Sequence, residues 1–302
     1  MEIKIAIDSS NKERVLALVS QLVDAESEAR VGASIASNMN VADAIPVIST
    51  MHDRLDACFR NSTISLSPPE IATSPFGAWA MFNSFIPGKA AMRVLGHFLD
   101  DQNDSLFQFG SLIEETVRSI RSRKFSGVRG FPGSRKASSV PRFATHLVLP
   151  LSEMGLVLSK QQNGTRMMGL TEAGLNFSLL ENPLLDSQDG KEGLSRDERE
   201  WIIGHLKRID GLGFREYSTL HSIVDYVGSQ RPSREQLVDW FANRRDFRDH
   251  IGSVSRHASD PPRLRKQIRN LANTYVSSKI AILRELGVVS DVRGAYDLVS
   301  KL

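Results

Sequence analysis

Leu151-Ser-Glu-Met-Gly-Leu-Val-Leu and Leu283-Arg-Glu-Leu-Gly-Val-Val-Ser lie 132 positions apart and read as the same device. Each closes an apolar helical run, stops it with a glycine and continues into aliphatic or β-branched residues. A glycine just past a helix accepts the left-handed conformation that ends it. After the first copy comes Ser159-Lys-Gln-Gln-Asn-Gly-Thr-Arg-Met-Met-Gly-Leu-Thr, where Asn163-Gly164 is a strong hairpin signal because both residues tolerate positive φ. After the second comes Asp291-Val-Arg-Gly-Ala-Tyr-Asp-Leu-Val, a shorter hairpin turning near Gly294. Both places predict helix, glycine, strand, turn, strand.

The apolar periods on either side extend the pattern. Met92, Leu95 and Leu99 share a helical face with Ala91, Val94 and Phe98 beside them; Leu112, Ile113, Thr116, Val117 and Ile120 repeat it. Ser138 and Ser139 can cap a third helix, with Pro141 in its first turn and Ala144, Val148 and Leu151 facing inward. Pro150 lacks a backbone donor and is expected to kink or split that helix. The stretch 181–193 reads as a linker. Ser195-Arg-Asp-Glu198 and Ser233-Arg-Glu-Gln236 are capping boxes. The first opens the stripe Trp201, Ile202, Leu206 and Ile209; the second opens Leu237, Trp240 and Phe241. Between them Tyr217, Leu220, Ile223, Val224 and Val227 form another stripe. Residues 243–261 read as a basic loop, Leu264, Ile268 and Leu271 as a helix, and Asn273-Thr274 as the turn before a last helix carrying Val276, Ile280 and Leu283.

On these motifs the chain resembles winged-helix proteins, over about residues 85–180 and 195–302. The resemblance implies a mainly α fold with small β-hairpin wings. It implies two winged-helix domains in tandem at 76–186 and 195–302, joined by a linker at 187–194, after a small N-terminal α/β element at 1–75 of uncertain role. It also implies duplex DNA as the first partner, and a final helix of each unit that enters the major groove. The inserts at 121–137 and 243–261 depart from a minimal unit.

Charge placement agrees. The 302 residues carry a net charge of only +3, and the sequence pI is about 9.0. No acidic residue lies between Glu115 and Glu153, a window holding Arg118, Arg121, Arg123, Lys124, Arg129, Arg135, Lys136 and Arg142. None lies between Asp260 and Glu285, where Arg263, Arg265, Lys266, Arg269, Lys279 and Arg284 stand. Such cations neutralise phosphates and release counterions. A charge run can also be a merely solvated face, but two windows at matching places in a repeat favour binding. Aligning the copies sets Ala144, Val148 and Leu151 against Val276, Ile280 and Leu283 as core pairs. That leaves Arg142 with Thr274, Thr145 with Ser277 and His146 with Ser278 outside. Candidate DNA-binding residues are therefore Arg135, Lys136, Ser139, Arg142, Thr145 and His146 in the first unit, and Arg263, Arg265, Lys266, Arg269, Thr274, Ser277, Ser278 and Lys279 in the second. Lys160, Gln161, Gln162 and Arg166 on one wing and Arg293 on the other are candidates for touching the DNA backbone or the minor groove.

Signals for catalysis are weak. The seven histidines show no HExxH or other metal spacing, and there is no P-loop and no GxSxG. Asp246, Asp249, His250 and His257 are better read as an exposed charged loop than as a nuclease cluster. Gly211-Leu-Gly213 lacks the third glycine of a nucleotide loop, and Phe76-Gly-Ala-Trp-Ala-Met-Phe reads as packing. Cys58, the single cysteine, reads as a packed apolar residue and excludes an internal disulfide. With no secretory signal and no spanning segment, a cytoplasmic chain without membrane contact or cofactor is expected. Ile3, Ile5 and Ile7 alternate as a strand that can pair across a homodimer or pack within its own domain. The expected function is non-enzymatic, sequence-specific binding of duplex DNA, most commonly in transcriptional regulation. The alternatives are a DNA-recognition or scaffolding subunit of a replication, segregation or phage-defence complex, and an adaptor whose winged helices bind protein partners.

Overall fold

The computed structural model describes residues 71–78, 82–97, 107–108, 148–162, 164–186 and 193–302, with Ile48 and His52 besides. The described part is mainly helical with two small antiparallel hairpins. The expected N-terminal α/β element and the window 116–147 fall almost wholly outside these residues. In chain order come α1 (Ile86–His97), β1 (Phe107–Gln108), a helical stretch at 148–153, β2 (Val157–Gln162), β3 (Thr165–Leu170), α2 (Glu172–Ser178) and α3 (Pro183–Asp186). The second half holds α4 (Arg196–Asp210), α5 (Glu216–Gln230), α6 (Arg234–Asn243), α7 (Arg245–Val254), α8 (Pro261–Glu285), β4 (Val289–Val292) and β5 (Ala295–Leu298).

The repeated motif makes the same turn twice. Gly155 and Gly287 adopt φ of +69° and +73°. Leu156 N–H donates to Leu151 O and Gly155 N–H to Ser152 O; Val288 donates to Leu283 and Gly287 to Arg284 in the same way. These are the paired bonds of a Schellman cap, and Leu151, Leu156, Leu283 and Val288 are all buried around them. The strands that follow form the expected hairpins: Val157 opposes Leu170 and Gln162 opposes Thr165, while Val289 opposes Leu298 and Val292 opposes Ala295. In the first half the backbone after α1 pairs with the second hairpin strand, and in the second half the backbone after α5 does so. The first sheet has the order β1-β3-β2. In the second half Ser233 bridges Ala295, and Tyr296 N–H donates to Pro232 O at 3.0 Å.

Three expectations are corrected. No turn interrupts the chain at Asn273-Thr274: α8 is one helix of 25 residues. Asp260 caps it and Pro261 and Pro262 open it; Tyr275, Val276 and Ala272 are buried around the expected break, so tertiary packing carries the helix through. The basic stretch 243–261 is not all loop, because Phe247 and Ile251, one turn apart, bury one face of α7. The stretch read as a linker begins with α3, whose Leu184 and Leu185 are buried beside a fully enclosed Asn182. Pro150 lies within the helical residues 148–153, and its carbonyl accepts from Met154 N–H.

One contiguous apolar cluster runs through both halves. Phe76 meets Phe247 edge-on at 5.1 Å and Phe241 and Tyr275 at 6.2 Å. Buried charges stitch the same seam. Lys89 Nζ lies 2.5 Å from Glu198 Oε1, and both side chains are fully enclosed. Arg93 forks onto both oxygens of Asp186. Lys279 Nζ reaches Glu216 Oε2 at 2.5 Å and the Ala78 carbonyl at 2.9 Å. Glu285 caps α1 from the far end of the chain, accepting from Ser84 Oγ and from the backbone N–H groups of Phe85 and Ile86.

Burial pushes the carboxyl of Glu285 up to about 7, against an ordinary value of 4.5. A raised folded-state value favours the protonated form, so this contribution to stability is complete below about pH 4.5 and is lost as pH rises through about 7. His205, whose pKa burial lowers, has the opposite sign over part of that window: its neutral form is favoured, and stability falls as pH drops through 6.5. The measurement is therefore a difference. Subtracting the melting-temperature profile of Glu285→Gln from that of the native chain should leave a fall as pH rises from about 4.5 to about 7. A flat difference would place Glu285 outside the titration.

Candidate nucleic-acid interface

The exposed face of α7 and the amino half of α8 make the most basic described surface. Between Arg244 and Asn270 stand eight arginines or lysines and three aspartates. Arg245, Arg248, Arg256, Arg263, Arg265, Lys266 and Arg269 are all exposed. The core takes Leu264, Ile268, Leu271, Ala272 and Tyr275 from one side of α8. Residues at spacings of three and four on the opposite side, Arg263, Lys266, Asn270, Asn273 and Ser277, therefore form its outward row.

Existing ion pairs hold this surface loosely. Arg263 meets Asp260 at 3.1 Å, and Arg269 meets Asp239 at 3.1 Å and Glu235 at 3.3 Å. These pairs are largely solvated, a class worth about 0–1 kcal/mol, so a phosphate can replace the carboxylate at little cost. Arg265 and Lys266 have no ion pair among the described residues.

Placement on the helix adds a second signal. The positive end of the helix dipole disfavours cations in the first turns and favours acids there. The first turns of α4, α5, α6 and α7 each hold an acid, respectively Asp197 with Glu198, Glu216, Glu235 and Asp246. The first turn of α8 holds none, and Arg263, Arg265 and Lys266 crowd its start. The Asp260 cap supplies the only negative charge there, and the cations beyond it stay exposed to an external anion.

The hairpin tip behaves alike. Arg293 and Gly294 join β4 to β5 with φ of +53° and +83°, the doubly positive pair of a tight primed turn. Asn-Gly or Gly-Gly is the relaxed choice there, and a bulky residue held left-handed costs about 1–2 kcal/mol. Arg293 is exposed and without an ion pair among the described residues.

The structure sorts the expected DNA-binding residues into three groups. Arg263, Arg265, Lys266, Arg269 and Arg293 are exposed as expected. Arg166 lies in β3 opposite Gln161, whereas Arg135, Lys136, Ser139, Arg142, Thr145 and His146 lie outside the described residues. The expected outward placement of the carboxyl half of α8 is corrected. Ser278 is 2% exposed and donates to the Phe82 carbonyl; Lys279 is 0% exposed and points into the seam. Neither reaches a groove from there. Thr274 and Ser277 are half-buried and donate to the carbonyls of Asn270 and Asn273. The cause is the missing turn: a break at 273–274 would rotate the following residues outward, and an unbroken helix carries them between the halves.

Asn270, Asn273 and Arg234 were missed. Arg234, the first residue of α6, donates to Asn273 Oδ1 at 3.1 Å and Ser277 Oγ at 2.8 Å. A single helical period begun at Pro261 would have found the two asparagines, because it carries the row Arg263, Lys266, Asn270, Asn273 through the polar pair. The bridge from Arg234 joins two elements and has no local signal.

A separate open cleft of about 530 Å³ is lined by Ser74, Arg215, Ser218, Thr219, Arg244 and Asp246, among others. Its charges are mutually satisfied: Arg244 forks onto Asp246, and Arg215 and Ser218 bind Asp210. No cluster of metal-ligating side chains occurs among the described residues, and no described helix is long and apolar enough to cross a membrane. Comparison with known proteins finds no matching family model, no matching curated protein and no matching solved structure.

Proposed function

We propose that the chain is a cytoplasmic, sequence-specific duplex DNA-binding protein, a transcriptional regulator that acts by binding and not by catalysis. Its two halves are read as winged-helix units in tandem. The observation that carries this reading is the exposed, cationic amino half of α8, whose first turn holds no acid beyond the Asp260 cap, together with the strained arginine at the tip of the β4–β5 hairpin. Topology supports it. In each half a helix (α1 in the first, α5 in the second) is followed by backbone that meets the second strand of a late hairpin, and a further helix feeds that hairpin through a glycine cap; the second half carries α4 in addition. The groove-facing segment is 263–273, one turn and more before the place expected from the repeat alignment.

The test is equilibrium binding of the full chain to duplex DNA across a salt series, with selection from a randomised pool. Steep weakening with salt and enrichment of a defined duplex support the reading. Binding without enrichment would favour a scaffolding subunit, and salt-insensitive partner binding a protein adaptor.

A paired readout distinguishes function from solvation. Exchanging Arg265 and Lys266 for glutamate is expected to leave stability nearly unchanged, because both are exposed and stand beyond the first turn where the helix dipole acts, while weakening DNA binding. A folded variant that binds as well as the native chain would make these cations bystanders.

A further inference from the structure

We propose that Asn270 is the base-reading residue of this surface and that its target is adenine; the inference rests on the DNA-binding reading above. An asparagine reads adenine with both ends of its amide, accepting from N6–H with Oδ1 and donating to N7 with Nδ2. Both ends must then be free, and the side chain must stand outward on a helix that enters the groove. Asn270 meets these conditions. It is exposed, one turn beyond Lys266 in the outward row, and its amide makes no hydrogen bond among the described residues. Only its backbone carbonyl is engaged, by Thr274 Oγ1 at 2.9 Å.

The other polar side chains of the row are occupied. Asn273 has its Oδ1 taken by Arg234, which leaves a donor without the matching acceptor. Ser277 is held between Arg234 and the Asn273 carbonyl. Ser278 and Lys279 are buried. Lys266 and Arg263, on either side of the helix entry, are suited to the flanking phosphates, which fix register and carry no sequence information.

The experiment uses the full chain and the duplex it enriches from a randomised pool. Wild type and Asn270→Ala are titrated against that duplex and against versions with each A·T pair changed to G·C, or each adenine to 7-deazaadenine, which lacks the N7 acceptor. At one adenine both replacements should weaken wild type by about tenfold to a hundredfold. Asn270→Ala should show the same loss on the enriched duplex, and neither replacement should weaken that variant further. Alanine is the better helix former, so the exposed substitution keeps the fold. If Asn270→Ala loses the same factor on every duplex, or none, while wild type keeps its preference, Asn270 is no reader and the DNA-binding reading stands. If wild type enriches no duplex, that reading fails and takes this inference with it.

Discussion

Glu198→Ala is expected to destabilise the chain by about 3–5 kcal/mol, the range for removing one partner of a buried ion pair. The carboxylate is fully enclosed. It accepts from Lys89 Nζ, from Asn182 Nδ2 on both of its oxygens, and from the Ser195 N–H of its own capping box. Alanine would strand the Lys89 ammonium against the Leu180 carbonyl and the face of Phe177. Burial already pulls Lys89 down to about 8, so its charge is carried in this site only with the carboxylate beside it. Domains are typically stable by only about 5–15 kcal/mol, so the loss takes a large share. Chemical unfolding of Glu198→Gln, Lys89→Met and the pair of them, with Glu198→Ala alongside, measures the coupling. The pair should lose much less than the two single changes added together, since neutral groups leave no uncompensated charge. Additive losses would mean that the two residues stabilise the seam independently.

Replacing Arg263, Arg265, Lys266 and Arg269 together by alanine should flatten the slope of log K against log salt by about 0.9 for each phosphate that is no longer neutralised. Four such phosphates correspond to about a thousandfold weaker binding near physiological salt. If Arg263 and Arg269 keep their carboxylate partners in the complex, the slope changes by about half as much. All four side chains are exposed, so the melting temperature should hold and separate a weakened interface from a damaged fold. An unchanged slope with an intact fold would show that this face is only solvated.

The fold was legible where the signal is local. Gly155 and Gly287 stop their helices within a few residues of the apolar positions that show it, and Gly164 and Gly294, both at positive φ, sit in the turns of their hairpins. The Ser195 and Ser233 capping boxes were read correctly because each partner is three residues away. Legibility ended where a distant partner decides. Asn273-Thr274 is a pair of weak helix formers, and only the packing of Tyr275 and Val276 keeps the backbone helical there. Ser278 and Lys279 look like surface residues until Phe82, Ala78 and Glu216 are brought against them. Phe247 and Ile251 were outvoted by the arginines around them. The exposed cations of the candidate site were legible as a run, because the absence of acids needs no tertiary information; the outward row that contains Asn270 needed the true length of the helix.

The seam also has a timing. Ser84 and Glu285 are 201 residues apart in sequence, as are Ala78 and Lys279, and Lys89 and Glu198 are 109 apart. A ribosome adds about 5–20 residues per second, so the amino-terminal half emerges roughly 10–40 s before the residues that cap its helix. Through that interval α1 has no Glu285 carboxylate for its first N–H groups and Phe76 lacks part of its packing, while Lys89 waits about half as long for Glu198. The packing of the first half is therefore completed only after α8 has been made.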